Sequence, residues 1–218
     1  MTQPQPTHIA ILLFDNVDAM DVVGPYEVLR WLPGARVSFV STRVGPIHTE
    51  GGGLALVADS LLSDLPRPDV LLVPGGSGEL QARDNPQIRS WLQEAAAADA
   101  WIVSVCTGAL LLGSAGLLRG KRATTYWMAI DELAQFGATA VRERYVFDGK
   151  LVTSAGVSAG IDMALALAAA LRSEETAKAI QLAIEYAPRP PFDSGSPATA
   201  PADLVTRLRS LSRFKQSA

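Results

Sequence analysis

The residue in this sequence best suited to covalent chemistry is Cys106. It is the single cysteine, and it follows the apolar run Trp101-Ile102-Val103-Ser104-Val105 without a gap. Thr107-Gly108 and a second apolar stretch, residues 109–115, come directly after it. A buried strand that turns at once into a helix pushes the residue at the turn outward, as in nucleophile elbows. It also places that residue at a helix N-terminus, where free N–H groups and the helix dipole favour a thiolate. A depressed thiol pKa and easy oxidation to sulfinate are therefore expected. Cysteine is more often a small buried hydrophobe; the strand-to-helix junction is what favours the reactive reading. Gly75-Gly76 ends another apolar run, residues 69–73. Two glycines there let backbone approach a ligand closely, and their N–H groups, with that of Thr107, predict a nest for developing negative charge.

The acid is sought among Asp15, Asp18, Asp21 and Glu27, which follow the first apolar run. Asp21 differs from the others because Met20, Val22 and Val23 flank it. Burial in such a patch keeps a carboxyl protonated, which suits a general acid beside a thiol. Glu27 reads as a solvated partner of a helix first turn. Neither histidine suits a Cys/His dyad: His8 opens the first strand and His48 sits in an expected hairpin, while Tyr126-Trp127 stands where a histidine would otherwise serve.

The elements that must position these groups alternate along the chain. Residues 8–14, 37–41, 69–73 and 101–105 have the continuous apolar pattern of strands buried on both faces. Residues 46–57 predict a hairpin around Gly51-Gly52-Gly53, and Asp148-Gly149 predicts another between residues 141–147 and 150–153. Helices are expected over residues 25–32, opening at Gly24-Pro25, 86–98, 109–115, 128–136 up to Gly137, and 158–171. Another starts after Ser173 as N-cap, and a last one covers residues 201–214. Such alternation predicts one doubly wound, mostly parallel sheet flanked by helices, flavodoxin-like, with its ligand site beyond the carboxyl ends of the strands. Residues 1–187 form the α/β domain by this reading. Residues 188–218 are a C-terminal extension, Pro-, Ser- and Gly-rich at first. Leu204, Leu208 and Leu211 then recur at helical spacing, and such a stripe predicts a covered face, as in a homodimer.

Composition narrows the function classes. The chain has 218 residues, 48% of them hydrophobic and 19% charged, enough for a sizeable core. Its net charge of −3 gives no electrostatic footprint for nucleic acid. No uninterrupted apolar run is long enough for a membrane span. Residues 1–7 are polar and Pro-rich, unlike a secretory signal, so a cytoplasmic location is expected. One cysteine and two histidines make neither a disulfide framework nor a zinc cage, so no metal is expected.

These motifs in this order resemble the ThiJ/PfpI superfamily, with its class I glutamine-amidotransferase-like fold. The resemblance rests on Asp21 before Gly24-Pro25, Val73-Pro74-Gly75-Gly76, Ser104-Val105-Cys106-Thr107-Gly108, Gly120-Lys121-Arg122-Ala123-Thr124-Thr125, and residues 153–162. An aspartate at position 21, where many members carry glutamate, is similar to the isocyanide hydratase branch. So is Glu185-Tyr186-Ala187-Pro188-Arg189-Pro190-Pro191-Phe192-Asp193-Ser194-Gly195-Ser196-Pro197. That resemblance implies a homodimeric enzyme without a cofactor that adds water to an isocyanide and releases an N-substituted formamide. Cys106 would be the nucleophile, Asp21 the acid and base, and the Thr107 and Gly76 N–H groups would orient intermediates. Tyr126, Trp127, Ser154, Gly156, Val157 and Phe192 would shape the pocket. Tyr126 and the run Ser154-Ala155-Gly156-Val157 depart from the branch's usual residues. Two other readings of the same frame are a glyoxalase or deglycase acting on small carbonyl compounds, and a redox sensor or regulator in which Cys106 is simply oxidised.

Overall fold

A computed structural model of the protein describes residues 6–214; most of the polar stretch at residues 1–7 lies outside the described residues. In chain order the elements are β1 (Thr7–Leu12), α1 (Ala19–Leu29), β2 (Ala35–Ser41), the hairpin β3 (Gly45–His48) and β4 (Ala55–Ala58), β5 (Ser60–Leu61), β6 (Val70–Val73), α2 (Glu79–Asp84), α3 (Pro86–Ala97), β7 (Trp101–Val105), α4 (Gly108–Ser114), β8 (Arg122–Ala123), β9 (Thr139–Ala140), β10 (Tyr145–Asp148), β11 (Leu151–Ser154), α5 (Ala159–Leu171), α6 (Glu174–Ala183) and α7 (Ala202–Leu211).

Seven strands form the central sheet in the order β10-β11-β7-β6-β1-β2-β5. All neighbours are parallel except the edge pair β10–β11, closed by the turn at Asp148-Gly149. A parallel strand is covered on both faces, which is why β6 reads Val-Leu-Leu-Val with every residue buried. Helices α1, α5 and α6 pack together, and α2, α3 and α4 form a second group. The chain winds from β1 outward to β2 and β5, then returns to β6 and winds the other way. The order therefore reverses between β1 and β6, and the loops leaving these two strands and β7 share one end of the sheet. That is where an open α/β sheet binds its ligand.

Three local expectations are corrected. Helix α1 does not open at Gly24-Pro25. It starts at Ala19, capped by the Asp18 side chain, which accepts from the N–H groups of Met20 and Asp21. Asp21 thus stands in the first helical turn rather than in a loop, and Glu27 lies well inside the helix, paired with Arg30 on the surface. Gly24 and Pro25 serve packing instead: a Cβ on Gly24 would lie 3.1 Å from Ile161, and one on Gly160 would lie 3.1 Å from Pro25, so α1 and α5 meet closely there. Residues 130–136 form a tighter 3-10 run, ended by Gly137 in the left-handed conformation.

Candidate active site

Cys106 sits at the junction of β7 and α4 with φ of 56°, a conformation that L residues rarely adopt. Such strain costs on the order of 1–3 kcal/mol and persists only where the surroundings over-determine it. Here they do. The Cys106 N–H donates to the Ala155 carbonyl at 3.1 Å, and the Cys106 carbonyl accepts from the Thr125 hydroxyl at 2.6 Å. Thr124 fixes Thr125 in turn: its N–H donates to the Thr153 hydroxyl, and its own hydroxyl donates to the Glu143 carbonyl. Behind the elbow, a Cβ on Gly108 would collide with the Val73 carbonyl, so only glycine lets α4 start this close to β6.

Asp21 is fully buried beside this elbow. Its Oδ2 accepts from the Gly75 N–H at 2.9 Å. Its Oδ1 is also buried and takes part in no N–H or O–H hydrogen bond among the described residues. Burial, above all, raises the Asp21 pKa to about 8; the nearby charge of Asp18 adds to this, Gly75 and Cys106 oppose it, and Glu50 adds a smaller push upward. The carboxyl therefore carries a proton at neutral pH, as the sequence leads one to expect.

Cys106 behaves otherwise. Its side chain is 7% exposed. Burial pushes the thiol's pKa well up and the negative charge of Asp21 pushes it further, while N–H groups of Thr107 and Val157 pull it down. The expected depressed pKa is thus corrected: desolvation outweighs the start of a helix only seven residues long. The resting pair is a thiol beside a carboxylic acid.

The glycine pair also takes a different part from the one expected. The Gly75 N–H is spent on Asp21, and the Gly76 N–H donates to the Thr107 hydroxyl at 3.1 Å. These donors hold the acid and Thr107 in place; the N–H groups at the sulfur are those of Thr107 and Val157. Val157, held at φ of 42°, therefore serves through its backbone. Tyr126 lies beside Cys106. It is half-buried, burial and the Cys106 charge raise its pKa, and its ring covers Gly156, where a Cβ would lie 2.7 Å from it. Trp127 meets Tyr126 edge-on with ring centroids 6.0 Å apart. Two pocket expectations are corrected. Ser154 is fully buried, its hydroxyl turned to the Ser104 carbonyl in the sheet, so it lines no open surface. Phe192 is 78% exposed, with its side chain against solvent in the single chain.

Two contributors escape sequence reasoning. Thr125 lies inside the recognised Gly120-to-Thr125 motif, yet nothing local says that its hydroxyl reaches the elbow. Glu50, in the β3–β4 turn, accepts from the Ser77 N–H at 2.7 Å, and its own N–H donates to the Val17 carbonyl. It thereby ties the hairpin to the loops after β1 and β6.

The DJ-1/PfpI family pattern matches residues 7–170. The chain belongs to the DJ-1/PfpI family. It is 46% identical over 201 residues to an isonitrile hydratase of Pseudomonas putida, covering 92% of this chain and 88% of that one. A ThiJ/PfpI family protein from Pseudomonas syringae has the same fold, with a TM-score of 0.92 at 37% identity, over 96% of this chain and 87% of that one. A deglycase of Pyrococcus abyssi is 29% identical over 149 residues, 67% of this chain and 88% of its own. The DJ-1/PfpI match thus spans the doubly wound sheet, the first turn of α1 that carries Asp21 and the β7–α4 junction that carries Cys106.

Proposed function

We propose that the protein is a cysteine-dependent hydratase that adds water to isonitriles (isocyanides) and releases N-substituted formamides. The observation that carries this reading is the pairing of a buried thiol with a carboxyl that keeps its proton to about pH 8. An isonitrile carbon is attacked by a nucleophile and must also gain a proton, and the pair supplies both.

The Cys106 sulfur bonds to the terminal carbon while the Asp21 carboxyl delivers a proton to it. The thiol proton passes to the carboxylate left behind, so the acid is restored and the product is a thioimidate, R–N=CH–S–Cys. Asp21 then gives its proton to the imidate nitrogen as water adds to the carbon, and takes one proton from that water; when the C–S bond breaks, Asp21 gives this proton to sulfur and takes up the remaining hydroxyl proton. The thiol is regained and R–NH–CHO leaves. The Thr107 and Val157 N–H groups stabilise charge on sulfur as it develops. Asp21 works from a fixed position because Gly75 holds one oxygen, leaving Oδ1 for proton transfer. Similarity to the isonitrile hydratase of Pseudomonas putida supports the same substrate class. We also propose that two copies associate as a homodimer.

Incubation with an alkyl or aryl isonitrile, and separately with methylglyoxal, tests this by chromatography. Formamide from the wild type but not from Cys106→Ser supports the reading. Lactate from methylglyoxal without formamide overturns it in favour of carbonyl chemistry, and turnover of neither compound overturns it in favour of a redox or regulatory role.

A further inference from the structure

Among the described residues, the mechanism leaves one fully buried carboxylate unused. Glu79 opens α2, directly after the loop that holds Asp21 and Thr107, and it is fully buried. Both its oxygens are taken: Oε1 by Arg83 one turn on, and Oε2 by Arg213 at 2.7 Å. Arg213 comes from the far end of the C-terminal extension, so this ion pair joins the extension to the base of the catalytic loop. Removing one partner of such a pair leaves a buried charge less well compensated.

A second contact holds the extension on the other side of the site. The Arg209 guanidinium lies over the Trp127 ring, 5.5 Å from its centroid, within cation–π range. Trp127 contacts Tyr126, which neighbours Cys106. Between Trp127 and the extension lies a cavity of about 70 Å³, walled by Pro197, Ala200, Leu204, Val205 and Leu208 among others. The walls are mainly apolar. The extension therefore bridges two elements that flank Cys106, anchored by an arginine on each.

We infer that residues 194–214 are the outer wall of the substrate pocket, latched by Arg213 on Glu79, and that the niche against Trp127 admits a compact apolar substituent and excludes one as large as a six-membered ring. Arg213 is a positioning residue in this scheme, and Leu208 sets the depth of the niche. The identity of that substituent as the nitrogen substituent of an isonitrile rests on the function proposed above; the wall does not.

Because Cys106 is the single cysteine, its alkylation reads access to the site without any turnover. Maleimide and N-cyclohexylmaleimide share one reactive group and differ in bulk, so the ratio of their rates measures the wall. Arg213→Ala is expected to raise the N-cyclohexylmaleimide rate about tenfold relative to maleimide, a size commensurate with apolar pocket discrimination, and Arg213→Lys is expected to restore most of the original ratio. Leu208→Trp, which fills the niche, is expected to lower the ratio. With isonitriles, Arg213→Ala should lower KM for the cyclohexyl compound relative to that for the isopropyl compound and leave kcat little changed. An unchanged maleimide ratio in both Arg213→Ala and Leu208→Trp, each still folded by its melting transition, overturns the inference. Absence of isonitrile turnover in the wild type overturns the hydratase reading alone.

Discussion

At the scale of single residues the protein sets function against stability. A carboxyl that prefers its proton in the folded state stabilises the fold most below its unfolded value, near 4, and loses that contribution as pH rises through about 8. Asp21→Asn keeps the shape and the Gly75 bond but cannot transfer a proton. Isonitrile turnover should fall by about 10² to 10⁴, while the melting temperature above pH 8 should exceed that of the wild type. Activity tracking the protonated acid should decline on the alkaline side of about pH 8. Glu50 offers a finer test. Its charge contributes to holding the Asp21 proton, so Glu50→Gln should move the alkaline limb of the pH–rate profile to lower pH. A limb that stays in place or moves upward would show that Glu50 does not act on Asp21.

At the scale of elements, catalytic precision comes from the ends of strands braced against each other. Thr125→Val removes the hydroxyl that holds the Cys106 carbonyl, leaving a buried acceptor unsatisfied; about 1–3 kcal/mol of stability should be lost, measurable by denaturant unfolding. A Cβ on Gly75 would lie 2.5 Å from the Thr107 hydroxyl and 3.0 Å from Asp21 Oδ2. Gly75→Ala should therefore displace both and cost about 10²-fold in turnover. Much of this architecture was legible in the sequence. The apolar runs ending in Val73 and Val105 mark β6 and β7 correctly because burial on both faces leaves a continuous pattern. Asp148-Gly149 marks its hairpin because that turn requires those residue types. The sequence predicts too late a start for α1 because Pro25 imitates a first-turn proline, whereas its role is contact with Gly160 of α5. The sequence likewise identifies Cys106, Asp21 and the glycines of the site but not their bonds. Which partner takes the Gly75 and Gly76 N–H groups, or reaches the elbow from Thr125, depends on segments that meet only through the sheet. The raised pKa of Cys106 is illegible in the sequence for the same reason, since its largest cause is burial by the whole fold.

At the scale of the whole molecule, the extension and the sheet order both matter. Helix α7 buries Leu204 in part against Trp127 yet leaves Leu211 79% exposed and Leu208 39% exposed. Leu182, at the end of α6, is 80% exposed. The proposed homodimer is expected to cover such side chains; sedimentation should give twice the monomer mass, and a monomer at all concentrations would oppose it. The strand order also imposes a schedule. β1 is the first strand to be synthesised, but it lies inside the sheet, with β2 on one side and β6 on the other. The acid arrives on α1 soon after β1, while the nucleophile waits for β7 and its bracing waits for Thr125 and Ala155. During synthesis, which proceeds from the N-terminus, the growing chain thus carries an acid without a thiol, and then a thiol without a fixed elbow. The strained conformation of Cys106 can be enforced only after those later segments have docked, so reactivity waits for the sheet to be complete through β11.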